Sequence, residues 1–304
     1  MHCCLTSGLA VVGNRVVIQR NPTSGSGRGA RQLKVLIADL RQAGFRVRLF
    51  ASRERMDAFL AQEEVRAEIH CLVAAGGDGT VASVAQRHPE FPVAVMPLGT
   101  ENLVARHLRI PKCGRTAAAV IRDGKTKIYD TAFVNDQRCL LMVSVGMDGD
   151  VVRRLSMVRS GNISHLSYAR PILGSLLKYD FPVVSVHDDD GTLLAQGTHV
   201  IVTNIPEYGF RMQFSPNANP HDGQLDVRVF HRTGPIRTLM HIIRTRLGMA
   251  DRQGDVTRIT RSGVELRCET DAPVQFDGDP AGSCPVRVRI EPASMTLMVR
   301  STEQ

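Results

Sequence analysis

The sequence predicts a layered α/β domain followed by a β-rich domain. Three observations lead there. Up to about residue 133, short β-branched runs alternate with helix-period runs. Three of those strand-like runs end in glycine-bearing turns. Beyond about residue 134, apolar runs are joined by turn clusters such as Asn135-Asp136, Asp188-Asp189-Asp190-Gly191 and Asp222-Gly223. The domains are expected at 14–133 and 134–290, with 291–304 returning to the first.

Arg15 to Arg20 reads as strand one, followed by the polar, glycine-rich break Asn21 to Gly29. Leu33, Leu36, Ile37 and Leu40 then recur at helical spacing until Gly44. Phe45, Val47 and Leu49 alternate with Arg46 and Arg48, which predicts a half-buried strand. A helix around Met56, Phe59 and Leu60 precedes the apolar run Cys71 to Ala75, closed by Gly76-Gly77-Asp78-Gly79-Thr80. Val93 to Met96 repeats the scheme, with Pro97-Leu98-Gly99-Thr100 as its loop. In the second half, helical periodicity is confined to about 151–178 and 235–249.

Composition bounds the partners. With 43% hydrophobic and 22% charged residues, 26 Gly and 15 Pro, the chain falls in the globular range. No apolar stretch nears the roughly 18 residues that span a bilayer, which excludes a transmembrane protein. Thirty-eight basic against 30 acidic side chains give +8, a charge that attracts phosphates or an anionic membrane. Trp is absent and Tyr numbers only 4, so a base-stacking nucleic-acid reader is disfavoured. The seven cysteines (Cys3, Cys4, Cys71, Cys113, Cys139, Cys268, Cys284) include no C-x-x-C pair. That pattern fits reduced thiols in a cytoplasm. Residues 1–13 lack the basic start of a secretory signal and read as a frayed leader.

Glycines at the carboxyl ends of strands let backbone N–H groups approach an anion, and the following helix adds a favourable dipole. Asn21 to Ala30 also satisfies a loose G-x-G-x-x-A, with Ser52-Arg53 suited to a 2′-phosphate, so a Rossmann oxidoreductase is a rival. Against it, Asp78 inside a glycine turn would repel a bare pyrophosphate and points to magnesium or phosphoryl transfer. The G-x-x-x-x-G-K-[ST] signature is absent, which disfavours the usual nucleotide triphosphatases.

Taken together, Asn21-Pro22-Thr23-Ser24-Gly25, Gly76-Gly77-Asp78-Gly79-Thr80 and Pro97-Leu98-Gly99-Thr100-Glu101-Asn102 resemble the catalytic domain of bacterial diacylglycerol, sphingosine and ceramide kinases. The likeness continues through Ser144-Val145-Gly146-Met147-Asp148, Asp222-Gly223-Gln224-Leu225-Asp226-Val227 and Phe276-Asp277-Gly278-Asp279-Pro280, and so covers nearly the whole chain. The resemblance implies a three-layer, phosphofructokinase-like or NAD-kinase-like nucleotide domain, a C-terminal β-sandwich that receives a lipid, and ATP bound in the cleft between them. Asn21 to Gly25, Ser52, Gly76 to Ala82, Gly99, Thr100 and Asn102 would line the nucleotide. Asp279 would take the proton of the lipid hydroxyl, with Asp277 and Asp78 helping to place magnesium or the base. Asp222, with the main-chain carbonyls of Asn219 and Gln224, would form a second, structural magnesium site.

The sequence departs from the family pattern at three places. Leu103 replaces an aspartate, Ala82 an amide side chain, and Asp279 a glutamate, which shortens the base by a methylene. A displacement of about 1 Å can cost on the order of a hundredfold in rate. The expected activity is a cytoplasmic, peripheral lipid kinase acting at an anionic inner-membrane surface, with homodimerisation open. The basic, aliphatic segments Val151 to Tyr179 (Arg153, Arg154, Arg159, Arg170, Lys178) and Ile236 to Arg252 (Arg237, Arg244, Arg246) are the candidate membrane contacts. The rivals are an NAD kinase, which shares the G-G-D-G loop, and a catalytically silent lipid- or nucleotide-binding protein.

Overall fold

The computed structural model describes residues 13–22, 24, 28–157, 168–232, 234–250 and 254–301. Residues 1–12 of the leader, Thr23, Gly25, Arg159 and Arg252 lie outside the described residues. The chain divides into two units, one running up to Tyr129 and resumed from Ala293, the other Asp130–Pro292.

The first unit is built on β1 (Arg15–Arg20), α1 (Arg28–Gln42), β2 (Arg46–Phe50), α2 (Arg53–Leu60), α3 (Glu63–Arg66), β3 (Ile69–Gly76), α4 (Asp78–Arg87), β4 (Val93–Pro97), α5 (Leu103–His107) and α6 (Gly114–Asp123). Its strands pair in parallel in the order β2-β1-β3-β4. All eight residues of β3 and all five of β4 are buried, as in a parallel sheet covered on both faces. Edge strand β2 differs from the half-buried expectation: Leu49 is 44% exposed, because β2 has a neighbour on one side only. Helix α1 approaches α6 so closely that a Cβ on Gly114 would lie 2.1 Å from the Gln32 carbonyl oxygen.

Strand β5 (Thr126–Val134) leads into the second unit. There follow β6 (Gln137–Cys139), β7 (Met142–Val145), α7 (Met147–Met157), α8 (Ala169–Lys178), β8 (Val184–His187), β9 (Leu193–Gly197), β10 (His199–Thr203), β11 (Leu225–Phe230), α9 (Pro235–Arg246), β12 (Val256–Arg261), β13 (Gly263–Cys268), β14 (Pro273–Phe276), β15 (Asp279–Ser283) and β16 (Val286–Met298). Strand β16 begins in this unit and ends in the first, where Leu297 lies parallel to Val93.

One sheet of the second unit runs β12-β11-β10-β7-β14-β15, and every described pairing in it is antiparallel. The other runs from the first half of β16 through β13 and β8 to β9, with antiparallel pairing at each step. Alternating valines from both sheets, among them Val143, Val145, Val186, Val202, Val227, Val264 and Val288, meet in one buried cluster. The fold is therefore mixed α/β, with an N-terminal domain built on a parallel sheet and a C-terminal β-sandwich.

Candidate functional site

In the first unit the predicted turns follow neighbouring strands. The Asn21 turn leaves β1, the Gly76–Thr80 turn leaves β3 and the Gly99–Asn102 turn leaves β4, all at carboxyl ends of a parallel sheet, where α/β proteins bind ligands. Backbone hydrogen bonds tie them together: Asn21 N–H donates to the Ala75 carbonyl at 3.0 Å, and Leu98 N–H to that of Gly76 at 2.8 Å. The glycines are required by this closeness. A Cβ on Gly76 would lie 2.1 Å from Thr80 Oγ1, and one on Gly99 2.6 Å from the Gly77 Cα. Pro22 is exposed in the first turn, and Ser24 N–H donates to the Asn21 carbonyl at 3.1 Å.

Several side chains expected to touch ligand also hold the scaffold. Asn102, buried and left-handed at φ 50°, accepts from Gly99 N–H through Oδ1 and donates from Nδ2 to the Gly99 carbonyl, both at 2.8 Å. Ser52 is the N-cap of α2, its hydroxyl accepting Arg55 N–H at 3.1 Å. Asp78, first residue of α4, accepts Val104 N–H at 2.9 Å at the start of α5. Burial raises its pKa, opposed by these backbone donors. Thr80 is buried behind Gly76, whereas Gly79 and Thr100 are exposed.

Sequence reading missed Lys112. Its Nζ donates to the Gly99 carbonyl at 2.6 Å and reaches the Thr100 carbonyl at 3.4 Å, which places a cation on the third turn. Nothing in the motif spacing marks it, because it arrives from beyond α5.

In the second unit, Asp277-Gly278 forms a two-residue hairpin loop between β14 and β15, with φ of 50° and 87°. The Asp277 carboxylate turns inward. It accepts the N–H groups of Leu140, Leu141 and Met142 at 2.7, 2.8 and 3.1 Å, and Cys139 Sγ–H donates to it at 3.2 Å. Burial pushes its pKa up to about 6 and the Cys139 thiol well up. Asp277 therefore anchors the hairpin to the β6–β7 connection, while Asp279 opens β15 on the exposed side.

A polar cluster that sequence reading did not assemble stands behind this hairpin. Gln275 Oε1 accepts Gly278 N–H at 3.0 Å, and its amide nitrogen donates to Ser144 Oγ at 2.6 Å. Ser144 in turn donates to Asp148, which also accepts Tyr208 O–H at 2.6 Å. His199, its pKa lowered by burial, stands with Nε2 3.7 Å from the same carboxylate. The Ser144–Asp148 motif and the hairpin are thus one network, and the only sequence signal for it was the two motifs themselves.

At the 219–224 turn, Asp222 is exposed and accepts Gln224 N–H at 3.0 Å through Oδ1. Buried Asp130 accepts Gly223 N–H at 2.7 Å and donates its own N–H to the Pro220 carbonyl. The donors here are carboxylate and carbonyl oxygens, the chemistry a hard cation takes. Among the described residues, no three His, Cys, Asp or Glu side chains converge to hold a metal.

Residues 15–134 match the diacylglycerol kinase catalytic domain family, and residues 141–299 the YegS C-terminal NAD kinase beta sandwich-like domain. A diacylglycerol kinase of Mycobacterium tuberculosis is 26% identical over 295 residues, 93% of this chain and 94% of that protein. An uncharacterized Synechocystis protein is 25% identical over 235 residues, 74% of this chain, and the chain spans 54% of its length. A crystal structure of a candidate diacylglycerol kinase from Bacillus anthracis str. Sterne shares the fold at TM-score 0.74 and 22% identity, covering 97% of this chain and 98% of that one. With both halves matched in order across nearly its whole length, the chain belongs to the diacylglycerol kinase family of lipid kinases.

Proposed function

We propose that the protein transfers the γ-phosphoryl group of ATP, with magnesium, to a hydroxyl of a diacylglycerol-like or sphingoid lipid at the cytoplasmic membrane face. The observation that carries this reading is the row of three hydrogen-bonded glycine turns at adjacent strand ends, with Lys112 on the third. Their backbone N–H groups and the start of α4 suit a polyphosphate tail. Magnesium would neutralise developing charge on the phosphates. Asp78 would help place the magnesium, and Asp277 would place the base by holding the hairpin that carries Asp279. Asn21 to Gly25, Ser52, Thr80 and Thr100 would line the nucleotide, and Asp222 with the Asn219 and Gln224 carbonyls would hold a structural ion. The lipid hydroxyl oxygen forms the new P–O bond, the bond to the β-phosphate oxygen breaks with ADP leaving, and Asp279 accepts the hydroxyl proton.

The direct test is labelled ATP with a panel of extracted lipids. Asp78→Asn and Asp279→Asn should each lower transfer by at least about tenfold, while circular dichroism stays native. Unchanged turnover in both would remove the assignment. A second reading, ribose phosphorylation of NAD, is favoured by the NAD-kinase-like description of the C-terminal domain. Adding NAD to the acceptor panel separates the two. Background transfer to every acceptor alongside nucleotide binding would leave a silent binding protein.

A further inference from the structure

Helix α9 is packed inside out. Its buried side carries Thr238, His241 and Thr245, with half-buried Ile242 against the cluster of Ile201, Phe214 and Phe230. His241 Nε2 lies 3.3 Å from Asp255 Oδ2, and buried Thr238 Oγ1 has no hydrogen-bond partner. The outward side carries Ile236, Leu239, Met240, Ile243 and Leu247, which are 76, 51, 45, 50 and 69% exposed. These positions recur at helical spacing and form one continuous stripe. A scatter of exposed leucines is ordinary, but a helix that buries threonines and turns its aliphatic face to water is not.

Charge identifies what covers the stripe. At 3.6 residues per turn, Arg237 and Arg244 fall along one flank and Arg246 along the other. No acidic residue lies in the helix. Long guanidinium side chains on both borders of an aliphatic stripe can reach phosphates while the stripe enters the acyl boundary, the pattern of a helix lying in a bilayer interface. A protein partner would require apolar and acidic groups in matching places. An anionic bilayer supplies both along any direction. In the other basic segment, Arg153 and Arg154 are paired with fully buried Asp150, at 2.8 and 2.5 Å, and so brace α7.

We infer that α9 docks this protein on anionic phospholipid bilayers, with Ile236, Leu239, Met240, Ile243 and Leu247 inserted and Arg237, Arg244 and Arg246 at the headgroup phosphates. The inference rests on the lipid-acceptor reading and specifies how such an enzyme reaches its substrate. The test is co-sedimentation, without nucleotide, on phosphatidylcholine vesicles with and without about one third phosphatidylglycerol. Wild type should bind the anionic vesicles. Leu239→Ser/Ile243→Ser should weaken that binding by about tenfold or more. Arg237→Gln/Arg246→Gln should weaken it by a similar factor, an effect that raised salt diminishes in wild type.

Turnover of a short-chain acceptor dissolved as monomers should be unchanged in both variants, which shows that they fold. Absence of wild-type binding, or a serine variant that binds as wild type does, overturns the docking surface. So does a wild-type dimer in sedimentation equilibrium that the serine pair dissolves, which would make α9 an interface between copies. Normal wild-type docking, lost in the serine pair, with no turnover on any lipid would instead sink the kinase reading and leave α9's role standing.

Discussion

Asp277 shows how one side chain can look catalytic in a motif and act first as an anchor. Its two oxygens serve three backbone donors of the β6–β7 connection, a pattern that normally lowers a carboxyl pKa. Burial wins, and the value rises from 3.8 to about 6. A carboxyl raised on folding binds more protons in the native state than in the unfolded chain. Its contribution to stability is therefore full below pH 3.8 and lost as the pH climbs through about 6. Asp277→Asn removes that dependence, so the thermal midpoints of wild type and variant should converge or cross in the variant's favour between about pH 4 and pH 7. Parallel curves would show that Asp277 does not titrate there. Asp279, two residues on, is exposed and lies outside this backbone cradle.

Among the elements, the three strand-to-helix turns work as a unit because small residues let them touch. The nearest atom to a Cβ on Gly99 would be the Gly77 Cα, with Asn102 Oδ1 next, so a methyl group there cannot be accommodated by a rotamer change alone. Gly99→Ala should cost about 1–3 kcal/mol of stability and raise the nucleotide KM several-fold, both through separation of the second and third turns. Denaturant unfolding and steady-state kinetics would check it. A variant with wild-type values would mean that the turns adjust independently. Asn102, which closes the third turn onto Gly99 by a pair of hydrogen bonds, belongs to the same unit. Leu103, where the family pattern has a carboxylate, is buried and begins α5, so that position here serves packing.

For the whole molecule, nucleotide binding and stability are linked. If the first unit binds Mg-ATP, a concentration of about 100 Kd should stabilise the native state by about 2.7 kcal/mol and raise the thermal midpoint by a few degrees. Gly99→Ala should reduce that rise at fixed nucleotide concentration. Absence of any shift in wild type at millimolar Mg-ATP would argue against the nucleotide site. No helix among the described residues is long and apolar enough to cross a membrane, so contact with a bilayer would be made by surface elements such as α9.

The amino-acid order by itself determined the strand-to-helix rhythm, the three glycine turns and the β-rich second half. Each is a short-range property: β-branched runs, turn residues and glycines act on their immediate neighbours. Tertiary structure decided the rest. Periodicity established that α9 carries an aliphatic stripe, but only packing settles which side of a helix meets the core, and here it is the threonine side. The same holds for the Asp277 carboxylate, for Lys112 at the third turn and for Gln275 joined to Ser144, since their partners lie far along the chain. Local sequence fixes a residue's conformation, and the partners of its side chain are chosen by segments that folding brings from elsewhere.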